Sequence, residues 1–163
     1  AGAAARAPRR AGRPPLPPCG ACLPTIPAAD PDALTEAAIH ALVHGFYDVV
    51  RADPLIGPVF TGHIAAQDWP PHLAKMCDFW SSVLLKTGRY DGRPLPPHLG
   101  LGELGDAHFQ RWLALFRPVA ATTLPPEAAG RAITQAERMA QSFRLAIAFQ
   151  KGEDITRMRP LVG

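Results

Sequence analysis

An all-α fold is what this sequence predicts. Three observations carry the prediction. Apolar residues recur at spacings of three and four in separate stretches; most of these stretches are bracketed by residues that start or stop helices; and none alternates apolar with polar residues as a half-buried strand would.

The first helix is expected from Asp30-Pro31, a capping residue followed by a proline in the opening turn, to about Ala52. Its apolar stripe is Leu34, Ile39, Leu42, Val43, Phe46, Val49 and Val50. Asp53 precedes Pro54, which biases it out of helical backbone, and Asp53-Pro-Leu-Ile-Gly-Pro-Val-Phe60 reads as a turn-rich corner. A second helix is capped by Asp68, tolerates Pro70 and Pro71 in its first turn, and runs to about Lys86 before Gly88. Its inner face is His72, Met76, Phe79, Trp80 and Val83. Residues 88–105 show little periodicity and read as a loop with at most one helical turn near His98. A third helix starts at Asp106 and is expected to end near Arg117, because Pro118 follows. Pro125-Pro126-Glu127 opens the last helix, with Ile133, Ala136, Met139, Ala140, Phe143 and Ile147 facing inward.

Composition narrows the functional classes. Of the net charge of +3, residues 1–29 supply +4 through Arg6, Arg9, Arg10 and Arg13, leaving −1 on the remainder. A nucleic-acid reader carries its positive charge on the folded part, so that class is excluded. No run of about 18 apolar residues is present, and no membrane span is expected. Residues 1–29, rich in Ala, Pro, Gly and Arg, are expected to be a disordered tail; 30–151 form one helical domain, and 152–163 a C-terminal tail. Three cysteines, Cys19, Cys22 and Cys77, make no disulfide framework. The first 29 residues lack the apolar centre of a secretory signal, so the expected compartment is the cytoplasm.

His98 is the leading candidate for chemistry. It follows Pro96-Pro97 and lies between two apolar helices, a setting that suits an axial ligand to a flat apolar cofactor such as haem. His72, Met76 and Trp80 share one helix face at i, i+4 and i+8. Tyr47 offers a phenol O–H and Trp112 an indole N–H as hydrogen-bond donors. Lys75 and Arg111 lie near the same predicted pocket and are candidates to pair with haem propionates.

The segments Ile39–Tyr47, Asp53–Phe60, Trp69–Met76, Phe79-Trp80, Thr87–Pro94, Pro97-His98-Leu99 and Phe109–Phe116 together resemble the group III truncated haemoglobins, across roughly residues 34–150. The resemblance implies a two-over-two helical sandwich around haem b. It implies that His98 is the proximal ligand to a five-coordinate iron, with Tyr47, His72 and Trp112 as the distal set. Phe46, Phe60, Met76, Phe79 and Trp80 are expected to line the porphyrin, and the protein is expected to be a monomer. Oxygen, nitric oxide and carbon monoxide are the implied ligands. A haem enzyme with peroxidase-like or nitric oxide dioxygenase activity, drawing electrons from a separate reductase, is the alternative.

Other readings stand beside these. His108, four residues before Trp112, is a rival axial ligand. His40 and His44 have metal-binding spacing but no obvious third ligand, which favours an exposed face. Cys19-Gly-Ala-Cys22 lacks a second pair for structural zinc and a following His for covalent haem. Cys77 is expected to be buried and inert.

Overall fold

A computed structural model describes residues 33–101 and 104–161. The expected start at Asp30-Pro31, the tail reading and the Cys19–Cys22 pair lie outside the described residues. Six α-helices occur among the described residues, with no strand: α1 (Glu36–Ala52), α2 (Gly57–His63), α3 (Trp69–Leu85), α4 (Leu95–Leu99), α5 (Asp106–Thr123) and α6 (Pro126–Gln150).

α1 is capped by Thr35, whose side chain accepts the Ala38 N–H at 3.1 Å. It buries Ile39, Leu42, Val43, Phe46, Tyr47 and Val50, a continuous stripe at helical spacing. Each such side chain contributes about 1.5–3 kcal/mol when fully buried. α1 packs on α3 and crosses α5, while α5 pairs with α6; short α4 rests on α6. Two helix pairs thus form two layers, and small residues let α6 come close: Ala128, Ala129, Ala132, Ala136 and Ala140 are all buried.

Two elements depart from the sequence reading. The corner at 53–60 becomes a helix, α2. Asp53 Oδ1 accepts the N–H groups of Leu55 and Ile56, both at 3.0 Å, and Pro58 falls in the opening turn where a missing N–H costs nothing. Gly57 is required there: a Cβ would meet the Arg51 and Val50 carbonyl oxygens at 3.0 and 3.1 Å. The third predicted helix does not stop at Arg117 but runs through Pro118 to Thr123. A proline inside a helix costs about 3 kcal/mol, less where its face is wet. Pro118 is exposed, as is Ala114, whose carbonyl it leaves free for water, while Ala120 beyond it is completely buried.

The C-terminal segment is tied down by Arg144, which is 7% exposed. Its Nη2 donates to Asp106 Oδ2 at 2.6 Å and its Nη1 to the Arg159 carbonyl at 2.6 Å. The start of α5, the middle of α6 and residue 159 therefore share one guanidinium.

Candidate functional site

His98 sits in α4, a turn that opens with prolines and ends at Gly100. Its Nδ1 lies 2.6 Å from the Pro94 carbonyl oxygen. A carbonyl only accepts, so the proton is on Nδ1, and Nε2 of the neutral ring keeps its lone pair. Phe143 of α6 braces the ring at 4.7 Å between centroids. Burial lowers the His98 pKa, partly offset by the Pro94 hydrogen bond. A neutral imidazole with one oriented, free nitrogen is the form a metal binds.

The second partly buried imidazole is that of His72. Its Nε2 is buried and has no hydrogen-bond partner. Burial holds its pKa below the ordinary value, and the charges of Lys75 and His98 lower it further.

Tyr47 packs beside His72. Its ring lies 5.1 Å from His72, 5.8 Å from Phe60 and 5.9 Å from Trp69, each edge to face. Its pKa is pushed far above the usual phenol value by burial alone, with no hydrogen bond from the fold contributing. Arg51 covers Trp69, its guanidinium carbon 4.9 Å from the ring centroid.

Trp112 belongs to a neighbouring stack. It lies 5.3 Å from Phe116 and nearly parallel to it, and Phe116 in turn stacks on Trp80 at 5.0 Å. Phe46 joins the two groups, with Tyr47 and Trp112 each 5.3 Å away. Met76 is half-buried against the core, and Phe79 meets Trp80 at 5.3 Å. Lys75 is exposed.

Arg111 donates from Nε to Asp53 Oδ2 at 2.6 Å, while its side chain stays 46% exposed with its two Nη groups unused by that bond. Asp53 is buried and needs that partner. His108 is no axial rival: its Nδ1 accepts the Gly105 N–H at 3.2 Å and caps α5. His40 and His44 stack on each other at 3.8 Å, and no cluster of three metal-binding side chains occurs among the described residues. Cys77 is only half-buried, and burial raises its pKa.

Sequence reasoning left Trp69 and Phe143 out of the site. Trp69 stands three residues before His72, on the same helix face, a spacing that could have found it. Phe143 was readable only as one of several inward residues of α6.

The chain is 38% identical over 87 residues to the group 3 truncated haemoglobin of Campylobacter jejuni, a match spanning 52% of this chain and 68% of that one. The chain belongs to the group III truncated haemoglobins. The crystal structure of the group III truncated haemoglobin from Campylobacter jejuni superposes with a TM-score of 0.66 at 30% identity, covering 71% of this chain and 93% of the other. No protein-family model matches the chain.

Membership in a family of haem globins poses a test of fit. The residues meet it: His98 presents a free, oriented Nε2, and His72 presents a buried nitrogen with no protein partner. Two surface recesses of about 380 Å³ each flank α6, and neither is lined by His72, His98 or Tyr47.

Proposed function

We propose that the chain holds haem b through His98 and takes oxygen, nitric oxide or carbon monoxide on the opposite side, beside Tyr47. The observation that carries this reading is the histidine pair: Nδ1 of His98 is tied to Pro94, leaving Nε2 free, and Nε2 of His72 is buried without a partner. Bound haem would supply a five-coordinate iron with one position open for a small ligand.

The remaining work falls to side chains of this chain. His98 Nε2 would hold the haem iron, with the ring fixed by Pro94 behind and Phe143 beside it. Tyr47 stays protonated at every physiological pH, so it is a permanent donor towards a ligand carrying partial negative charge. Phe60 and Trp69 pack edge to face against the Tyr47 ring and hold it in place. Trp112 is a second donor candidate, and His72 guards access. Phe46, Met76, Phe79 and Trp80 supply apolar contact, and Lys75 and the unused Nη groups of Arg111 are the candidates for the propionates. The unit doing this is residues 30–151, acting as a monomer. A cytoplasmic setting is supported by the cysteine usage, and no helix among the described residues is long and apolar enough to cross a membrane.

A peroxidase-like or nitric oxide dioxygenase activity is the second reading, favoured by the permanently protonated Tyr47 beside an unpartnered His72. Such turnover requires an electron-donating reductase. Oxygen release within milliseconds would favour carriage, and slow release with reactivity towards peroxide would favour the enzyme.

The test is the absorption spectrum of the haem-supplemented protein in ferric, ferrous and carbon monoxide forms, beside His98→Ala. A Soret band that shifts with carbon monoxide in the wild type and is lost or grossly altered in the variant is expected. An unaltered variant would move the ligand to another residue, and failure of the wild type to take up haem would end the reading.

A further inference from the structure

Between the end of α3 and His98 the chain has little slack. The Tyr90 N–H donates to Ser82 Oγ at 2.9 Å, and the Tyr90 ring meets Phe79 edge to face at 5.2 Å. Both anchors are on α3. The ring then lies directly under Gly92: a Cβ at that position would sit 2.7 Å from both Cζ and Oη of Tyr90. Only a glycine lets backbone approach a ring this closely. Two residues on, Pro94 opens α4 with φ −73°, and its carbonyl takes the His98 Nδ1 proton at 2.6 Å. The proline ring fixes φ and the start of α4 sets ψ at −27°, so where the carbonyl lies follows from where the preceding backbone rests. That resting place is the Tyr90 ring. Asp91 and Arg93, the intervening residues, are exposed and offer no alternative support.

We propose that Tyr90 is a positioning residue for His98, acting through the backbone of Gly92 and the carbonyl of Pro94. This rests on His98 being the haem ligand. The orientation of a ligating imidazole, and its strength as a donor, depend on the hydrogen bond made by its other nitrogen. Removing the ring frees the 91–94 backbone, lengthens the Nδ1–H···O bond and weakens the axial bond. The contact is steric and is made by the outer end of the ring, Cζ and Oη together, so the ring carries the support and the hydroxyl adds to it.

The experiment uses the full haem-loaded chain as wild type, Tyr90→Ala, Tyr90→Phe and Gly92→Ala. The readouts are the iron–histidine stretching band of the unliganded ferrous form and the rate of haem loss to excess apomyoglobin. Tyr90→Ala should lower and broaden the band and speed haem loss by roughly tenfold or more, the range for lost support of a metal ligand. Gly92→Ala disturbs the same contact from the other side and should move both readouts in the same direction, which keeps the test decisive if Tyr90→Ala folds poorly. Tyr90→Phe keeps the ring but not Oη and should lie between the wild type and Tyr90→Ala, nearer the wild type. A band unmoved in both Tyr90→Ala and Gly92→Ala overturns the proposal, even if haem is lost faster, because that pattern is general loosening. A Tyr90→Phe band as altered as that of Tyr90→Ala overturns it too. A wild type without the band, or a His98→Ala that retains it, removes the haem reading itself and this inference with it.

Discussion

Tyr47→Phe deletes one oxygen atom at the centre of the distal ring cluster, and its two consequences run in opposite directions. Tyr47 is buried as a residue, and no hydrogen bond of its hydroxyl occurs among the described residues, although that oxygen is not one of the fully buried unpartnered atoms. With no partner in the fold to lose, the hydroxyl can be deleted at little cost, and the change should be neutral or slightly stabilising, by up to about 1 kcal/mol. For a chain of this size that is a rise of about 0–4 °C in melting temperature. A bound ligand, however, loses its donor. A hydrogen bond to a charged or partly charged group contributes about 1.5–3 kcal/mol, which becomes a roughly 10- to 150-fold faster release. The assay is stopped-flow displacement of oxygen by carbon monoxide, with thermal melts of the same samples. An unchanged release rate would refute Tyr47 as the donor. A melting temperature lower by more than about 5 °C would show that the hydroxyl was serving the fold.

Asp53 should behave as a cap and an ion pair together. Asp53→Ala loses the bonds to Leu55, Ile56 and Arg111 and should cost about 2–4 kcal/mol, whereas Asp53→Asn keeps an acceptor for the two N–H groups and should cost about 1 kcal/mol. Urea midpoints at constant m distinguish the two, and equal losses would contradict the capping role. The Ile56 N–H first, and then Arg111, hold the Asp53 carboxyl below its ordinary pKa, so its contribution is complete above about pH 4 and disappears as pH falls through the lowered value. His72 has a lowered pKa, from burial first, then Lys75 and His98. Below about pH 6.5 the unfolded chain takes up a proton that the folded one refuses, so stability should fall as pH drops from there through the lowered value. His98 is shifted in the same direction, so His72→Gln should reduce the slope of urea midpoint against pH between 7.5 and 5.5 without abolishing it. A slope identical to that of the wild type would contradict the assignment.

Much of the helical framework was readable because periodicity is a property of the covalent chain. Ile39, Leu42, Val43, Phe46 and Val50 recur at helical spacing, and every one of them is buried. α2 was not readable, since Asp53-Pro54 and Gly57-Pro58 carry the chemistry of turns, and only the Asp53 carboxylate folding onto Leu55 and Ile56 makes them a helix start. Pro118 misled for a related reason: its penalty is local and visible, whereas the burial of Ala120 that carries the helix past it is not.

The same division runs through the site. By itself the sequence determined which residue types stand near one another along each helix, and so which side chains were candidates: His98 between prolines and an apolar stretch, His72 and Met76 on one face, Tyr47 beside Phe46. Only the tertiary structure decided how their polar atoms are spent. Arg111 finds Asp53, 58 residues away in the chain; His108 turns back to cap its own helix; the carbonyl of Pro94 takes the Nδ1 proton of His98; and Nε2 of His72 is left without a partner. Spacing along a helix follows from backbone geometry that every residue shares, but the pairing of a donor with an acceptor depends on which helices cross and at what depth, and that emerges only when the apolar stripes pack.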